Sequence, residues 1–74
     1  ITANNNSVTG DTTITTAGTG KISVDQLNTK KLYVMTEDGD ITVENTTDNF
    51  MDLSSSSGDI TANNNKVTGA TKIS

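Results

Sequence analysis

Along the chain, apolar and polar residues alternate with a period of two. Ile22 and Val24, then Leu32, Val34 and Thr36, take every second position. One unit later Ile41, Val43, Met51, Leu53 and Ser55 do the same, against Thr42, Glu44, Asp52 and Ser54. Strict alternation over four to eight residues is the signature of a half-buried β-strand, so each unit predicts two short strands. Counted back from the next unit's Ile, Leu32 and Met51 stand nine places before it, Val34 and Leu53 seven, and Thr36 and Ser55 five. Equivalent side chains are therefore expected to stack.

The unit repeats. ITANNNSVTG at 1–10 returns as ITANNNKVTG at 60–69, with nine identities in ten, and Ile14 and Ile73 follow at the same offset. Cutting the chain at each strand-opening Ile gives segments 1–21, 22–40, 41–59 and 60–74, each beginning Ile-(Thr/Ser)-(Ala/Val). The joints carry Gly20-Lys21, Gly39-Asp40 and Gly58-Asp59. A repeat of 19 to 21 residues with one Gly corner reads as a solenoid coil. The expected fold is all-β: a parallel β-solenoid of about four coils, with Ile1, Ile22, Ile41 and Ile60 as one inward column and Gly20, Gly39 and Gly58 at one corner. Ile14 lies eight places before Ile22, which predicts one extra residue within Ala17-Gly18-Thr19-Gly20. The competing pattern is an antiparallel sandwich with a hairpin at Asp38-Gly39. The constant Gly offset and the agreement of phase between units favour the solenoid.

Composition sharpens this picture. Only 30 % of the 74 residues are apolar, so a single coil cannot repay the entropy of ordering itself and stability must be shared along the stack. The chain opens at a coil start without Met and stops inside a coil, as expected of a segment of a longer array. Cys is absent, which excludes disulfides. With His and Arg also missing, there is no Ser/His or Cys/His pair, no imidazole or thiolate metal site and no guanidinium clamp. No catalytic residue, cofactor or metal is therefore expected. Five Lys against nine acidic residues give a net charge of −4, which argues against nucleic acid as a partner. No apolar run is long enough for membrane insertion or a signal-peptide core.

The stretches GKISVDQLNTKKLYVMTEDGDITVEN and NFMDLSSSSGDITANN resemble the Gly-Asp-Ile coil repeats of a bacterial adhesin β-solenoid family, whose coils run roughly Leu-x-Ile-x-Thr-x-x-Gly-Asp-Ile-x-Val. The likeness rests on Leu32, Val34, Thr36, Gly39, Asp40, Ile41 and Val43, and again on Met51, Leu53, Ser55, Gly58, Asp59, Ile60 and Ala62. It weakens in the first coil, where Lys21 replaces the Asp. The resemblance implies a bacterial surface or cell-envelope protein acting in adhesion, spacing or envelope-stress sensing, with cell-surface or extracellular macromolecules as partners and no catalytic residues to carry over.

Several residue groups are candidates for chemistry. Asn5, Gln26, Asn45 and Asn64 recur four places into each coil, as an amide ladder or as a turn that tolerates Asn. Glu37, Asp38, Asp40 and Asp59 gather near one corner but match neither an EF-hand nor a GGxGxD calcium loop. Thr2, Ser23, Thr42 and Thr61 form an outward row next to Asn4, Asp25, Glu44 and Asn63, so the double Thr row of an ice-binding face is missing. Stacking brings Asp25 beside Glu44, which suits a solvated face better than a glycosidase pair. Asn5-Asn6-Ser7 and Asn45-Thr46-Thr47 match the N-glycosylation pattern. The leading expectation is a non-catalytic structural or adhesive repeat module at the cell surface. The alternatives are a filament-forming scaffold built by end-to-end self-association and, last, a polysaccharide-active β-helix enzyme.

Overall fold

A computed structural model describes all 74 residues, Ile1–Ser74, as ten strands without a helix. They are β1 Thr2–Ser7, β2 Asp11–Thr16, β3 Ile22–Asn28, β4 Lys31–Thr36, β5 Ile41–Glu44, β6 Thr47–Asp48, β7 Phe50–Ser55, β8 Ile60–Asn63, β9 Lys66–Val67 and β10 Thr71–Ile73. Every pairing is parallel and joins one coil to the next. One sheet stacks β1, β3, β5 and β8, with β6 and β9 continuing it beside β3; the other stacks β2, β4, β7 and β10. This is the expected β-solenoid of about four turns. The hairpin at Asp38-Gly39 does not form, because β4 and β5 lie in different sheets and β4 pairs with β7.

Register follows the columns read from the sequence. Ile22 pairs with Ile41 and Ile41 with Ile60, while Leu32, Val34 and Thr36 pair with Met51, Leu53 and Ser55. The core consists of Ile14, Ile22, Val24, Leu27, Leu32, Val34, Ile41, Val43, Met51 and Leu53. Ile1 begins the Ile column, its carbonyl accepting Ser23 N–H at 2.8 Å, yet it is 54 % exposed because no coil lies beneath it. Ile60 is partly buried for the corresponding reason at the other end.

The first coil carries the extra residue expected within Ala17-Gly18-Thr19-Gly20 and a second one elsewhere. Thr2 pairs with Ser23, Asp11 with Lys31 and Ile22 with Ile41, so the spacing falls from 21 to 20 to 19. One surplus residue lies between β1 and β2. The other lies between β2 and β3, where Gly18 takes φ +86°. The fourth coil repeats the first surplus, since Asp48 pairs with Val67 but Met51 with Thr71.

Asn5, Gln26, Asn45 and Asn64 all adopt the left-handed conformation, with φ between 54° and 56°. Of the two expected forms, ladder or turn, the column is therefore the turn: Asn45 Nδ2 donates to Asp25 Oδ1 at 3.0 Å, one coil below and outside the column. Asn tolerates this backbone better than most L-residues because its short side chain hydrogen-bonds locally. The turn reverses the alternation. Asn45 is exposed and Thr46 and Asp48 become inward. In the resulting gap between β5 and β6, Asn65 replaces the ladder: its Oδ1 accepts Thr46 N–H at 3.0 Å and Thr46 Oγ1 at 2.8 Å, and its Nδ2 donates to the Val43 carbonyl at 3.0 Å.

At the opposite corner glycine is required by close approach rather than by φ. A Cβ on Gly39 would lie 1.8 Å from the Gly20 carbonyl oxygen, and one on Gly58 would lie 2.0 Å from that of Gly39. Hydroxyls thread the same corner. Thr16 and Thr36 Oγ1 are 2.9 Å apart, Ser55 Oγ donates to Gly39 O at 3.0 Å, and Gly58 N–H donates to Ser55 Oγ at 2.9 Å. Gly20 has no coil beneath it, and its Cβ would meet only Thr16 at 3.7 Å.

Two outcomes test this account. Gly58→Val should cost about 2–4 kcal/mol and lower the midpoint of the whole thermal transition, whereas Gly20→Ala should leave it nearly unchanged. Gln26→Asn, which gives the second coil the residue the other three use, should raise stability by about 0.5–1 kcal/mol in urea titration.

Candidate functional site

On the outer face of the first sheet, Thr2, Ser23, Thr42 and Thr61 form one row and Asn4, Asp25, Glu44 and Asn63 the next, each in direct register. Asp25 and Glu44 are adjacent and half-buried, and Asp25 accepts the Asn45 amide. Both stand on one flat sheet, with no cleft between opposed carboxylates of the kind glycoside hydrolysis uses.

Two of the four corner acids are engaged with the chain itself. Asp38 Oδ1 accepts Ser57 Oγ at 2.6 Å and Asp40 Oδ1 accepts Asp59 N–H at 3.0 Å. Glu37, Asp38, Asp40 and Asp59 are exposed, and nowhere do three acidic side chains converge as ligands for one ion. Asp38 and Asp40 thereby tie the corner of one coil to that of the next.

The second sheet gathers what the sequence keeps apart. Lys31 pairs with Phe50 and Tyr33 with Asp52, which brings Tyr33 and Phe50 together diagonally across β4 and β7 with ring centroids 5.7 Å apart and planes tilted by 53°. They are the only aromatic residues of the chain, and both are half-buried on the outer face. Beside them Met35 is 56 % exposed. Thr15, Met35 and Ser54 stand in register there and line a shallow recess of about 240 Å³. Aromatic rings beside hydroxyls on a flat parallel sheet form an amphipathic platform able to bind by stacking and hydrogen bonding. Tyr33 and Phe50 were not singled out from the sequence. Their outward phase opposite Leu32 and Met51 was the available signal.

Asp48 was missed as well. The inward column seven places into each coil holds Val8, Thr29, Asp48 and Val67, and its two Val residues mark it as apolar. Thr29 is satisfied there, its Oγ1 bonding Gly10 O and Thr12 Oγ1 at 2.8 Å each. Asp48 is only 2 % exposed, and neither carboxyl oxygen has a hydrogen-bond partner. Desolvation by burial pushes its pKa up to about 6 from an ordinary 3.8. The folded state thus holds the proton more tightly than the unfolded chain. The associated stability is complete below about pH 4 and is lost as pH rises through about 6.

Acidification from pH 7.5 to 5 should therefore raise the unfolding free energy, toward a limit of about 3 kcal/mol from this group. In Asp48→Asn that part of the pH dependence should vanish. Urea unfolding of both proteins across the range measures the difference.

No curated protein and no solved structure matches the chain. A family model described as Toastrack DUF4097 matches residues 2–74. It spans all ten strands, the two outer faces and the buried column around Asp48. With this solenoid fold, the chain is a repeat domain that belongs to the Toastrack DUF4097 family.

Proposed function

We propose that this domain is a non-catalytic structural and adhesive module of the bacterial cell envelope, displayed at the cell surface, where it holds extracellular macromolecules through the outer face of its second sheet. The observation that carries this reading is the Tyr33–Phe50 pair beside exposed Met35 and the Thr15 and Ser54 hydroxyls. A small apolar body would gain from burying two half-exposed rings, yet stacking leaves both on the solvent side. Asp25, Asp38 and Asp40 lie on the outer surface, engaged by an amide, a hydroxyl and a backbone N–H respectively, as suits presentation rather than proton transfer, and Asp48 is enclosed in the core away from any surface. Binding on so open a face is shallow and gains strength through repetition.

The purified domain and tandem fusions of two and four copies, immobilised and exposed to isolated envelope polysaccharide and extracellular matrix proteins, should show retention that climbs steeply with copy number. Replacing both Tyr33 and Phe50 with Ala should weaken retention at least tenfold, about 1.4 kcal/mol, with the thermal transition intact. Unchanged retention would remove the adhesive role. Hydrolysis of a polysaccharide that is lost in Asp25→Ala or Glu44→Ala would overturn the non-catalytic reading.

A further inference from the structure

The outer face of the second sheet keeps hydrogen-bonding groups that the glycine corner beside it spends on the chain. At that corner the Thr16 and Thr36 hydroxyls meet each other, and Ser55 and Ser57 donate to Gly39 O and Asp38 Oδ1. One position away, in the shallow recess, the hydroxyls of Thr15, Ser54 and Ser56 have no partner in the chain, and neither has the Glu37 carboxylate. Exposed Met35 lies among them. The recess is continuous with the aromatic pair. Phe50 pairs with Lys31, two residues before Tyr33, and Tyr33 pairs with Thr13, two residues before Thr15, so Phe50, Tyr33 and Thr15 lie on one diagonal. Four residues along the strands and two coil steps make that line about 16 Å long. The face looks sideways from the stack, so a coil before or after it would lengthen the surface and cover none of it.

We propose that this diagonal is a binding site for an uncharged polysaccharide, whose sugar rings stack on Phe50 and Tyr33 and whose hydroxyls enter the recess at Thr15, Glu37 and Ser54. The inference rests on the adhesive reading of the same face and assigns the ligand class. A pyranose ring has a C–H face, apolar and weakly positive, that settles on the negative face of an aromatic ring. Its rim carries hydroxyls, each able to donate and to accept. Ser and Thr hydroxyls answer both roles, and the Glu37 carboxylate accepts from two hydroxyls at once.

Charge selects the uncharged ligand. On the strands of this face Asp11 stands beside Lys31 and Asp52 beside Lys72, so the strands are balanced and the net charge of −4 lies elsewhere on the chain. A polyanion meets that overall negative charge, and a polycation is drawn to Asp25 and Glu44 on the other sheet rather than here. A protein partner would need a broad, desolvated apolar centre, and this face offers two rings and one methionine among hydroxyls and charges. Nor can an extended peptide add itself at Tyr33, because β4 is paired on both sides, with β2 and β7.

The chain has one Tyr and no Trp, so its ultraviolet-excited emission reports Tyr33 alone. Titration with linear uncharged oligosaccharides of glucose, mannose, galactose and N-acetylglucosamine should change that emission saturably with at least one series. Affinity should climb with oligomer length until the chain spans the diagonal and then level off, and it should be equal at low and high salt because no ion pair is made. Thr15→Val with Ser54→Ala, and separately Glu37→Gln, should weaken it about fivefold or more with the thermal transition unchanged. Polygalacturonate and collagen, titrated alongside, separate this assignment from the adhesive reading. Retention of either one through Tyr33 and Phe50, with silence from every uncharged series, would overturn the proposal and leave the adhesive reading standing; silence from all probes would remove both. Affinity that collapses with salt, or that ignores both recess variants, would also overturn the proposal.

Discussion

Everything in this molecule depends on vertical coupling between coils: parallel backbone hydrogen bonds with like side chains stacked directly above one another. A coil of about 20 residues encloses only a handful of inward apolar groups and cannot cover them alone. Val24 and Val43 are fully buried because each has a coil above and below, while Ile1 and Ile73, with a neighbour on one side only, remain more than half exposed. The same neighbour effect decides where glycine is essential. Gly39 and Gly58 admit the carbonyl of the coil beneath, and Gly20, at the first turn of the stack, has none to admit.

Polar interior groups reveal how that coupling is maintained where strands are interrupted. The Asn65 side chain substitutes for ladder bonds beside Thr46, and the Thr16, Thr36 and Ser55 hydroxyls carry hydrogen bonding through the glycine corner. Asp48 is the exception. It occupies a column otherwise filled by Val or by a satisfied Thr, and its desolvated carboxyl makes folding sensitive to pH between about 4 and 6. A group of this kind in an otherwise apolar column marks the place where the repeat departs from its own rule.

Family membership accounts for the coil but leaves each surface to its own chemistry, since a repeat fold supports many uses. The first sheet presents Thr, Ser, Asn and acidic rows bonded to neighbouring turns. The second presents two aromatic rings and a methionine among hydroxyls. The two faces differ in chemistry, and both arise from one parallel stack.

The sequence by itself determined the parallel solenoid, the stacking of Ile22, Ile41 and Ile60, and the pairing of Leu32, Val34 and Thr36 with Met51, Leu53 and Ser55. Those features were legible because period-two alternation and a constant Gly offset are local and recur in each coil. The tertiary structure alone decided between ladder and turn at Asn5, Gln26, Asn45 and Asn64, and it is the left-handed turn that shifts the phase and sends Thr46 and Asp48 inward. It also decided the surplus residue between β1 and β2, and the meeting of Tyr33 with Phe50 across 17 residues of chain. One backbone dihedral reverses the facing of every later residue in a strand, and a one-residue change of coil length moves every later partner. Neither quantity is written in the type of any single residue; both are set when one coil settles on the next.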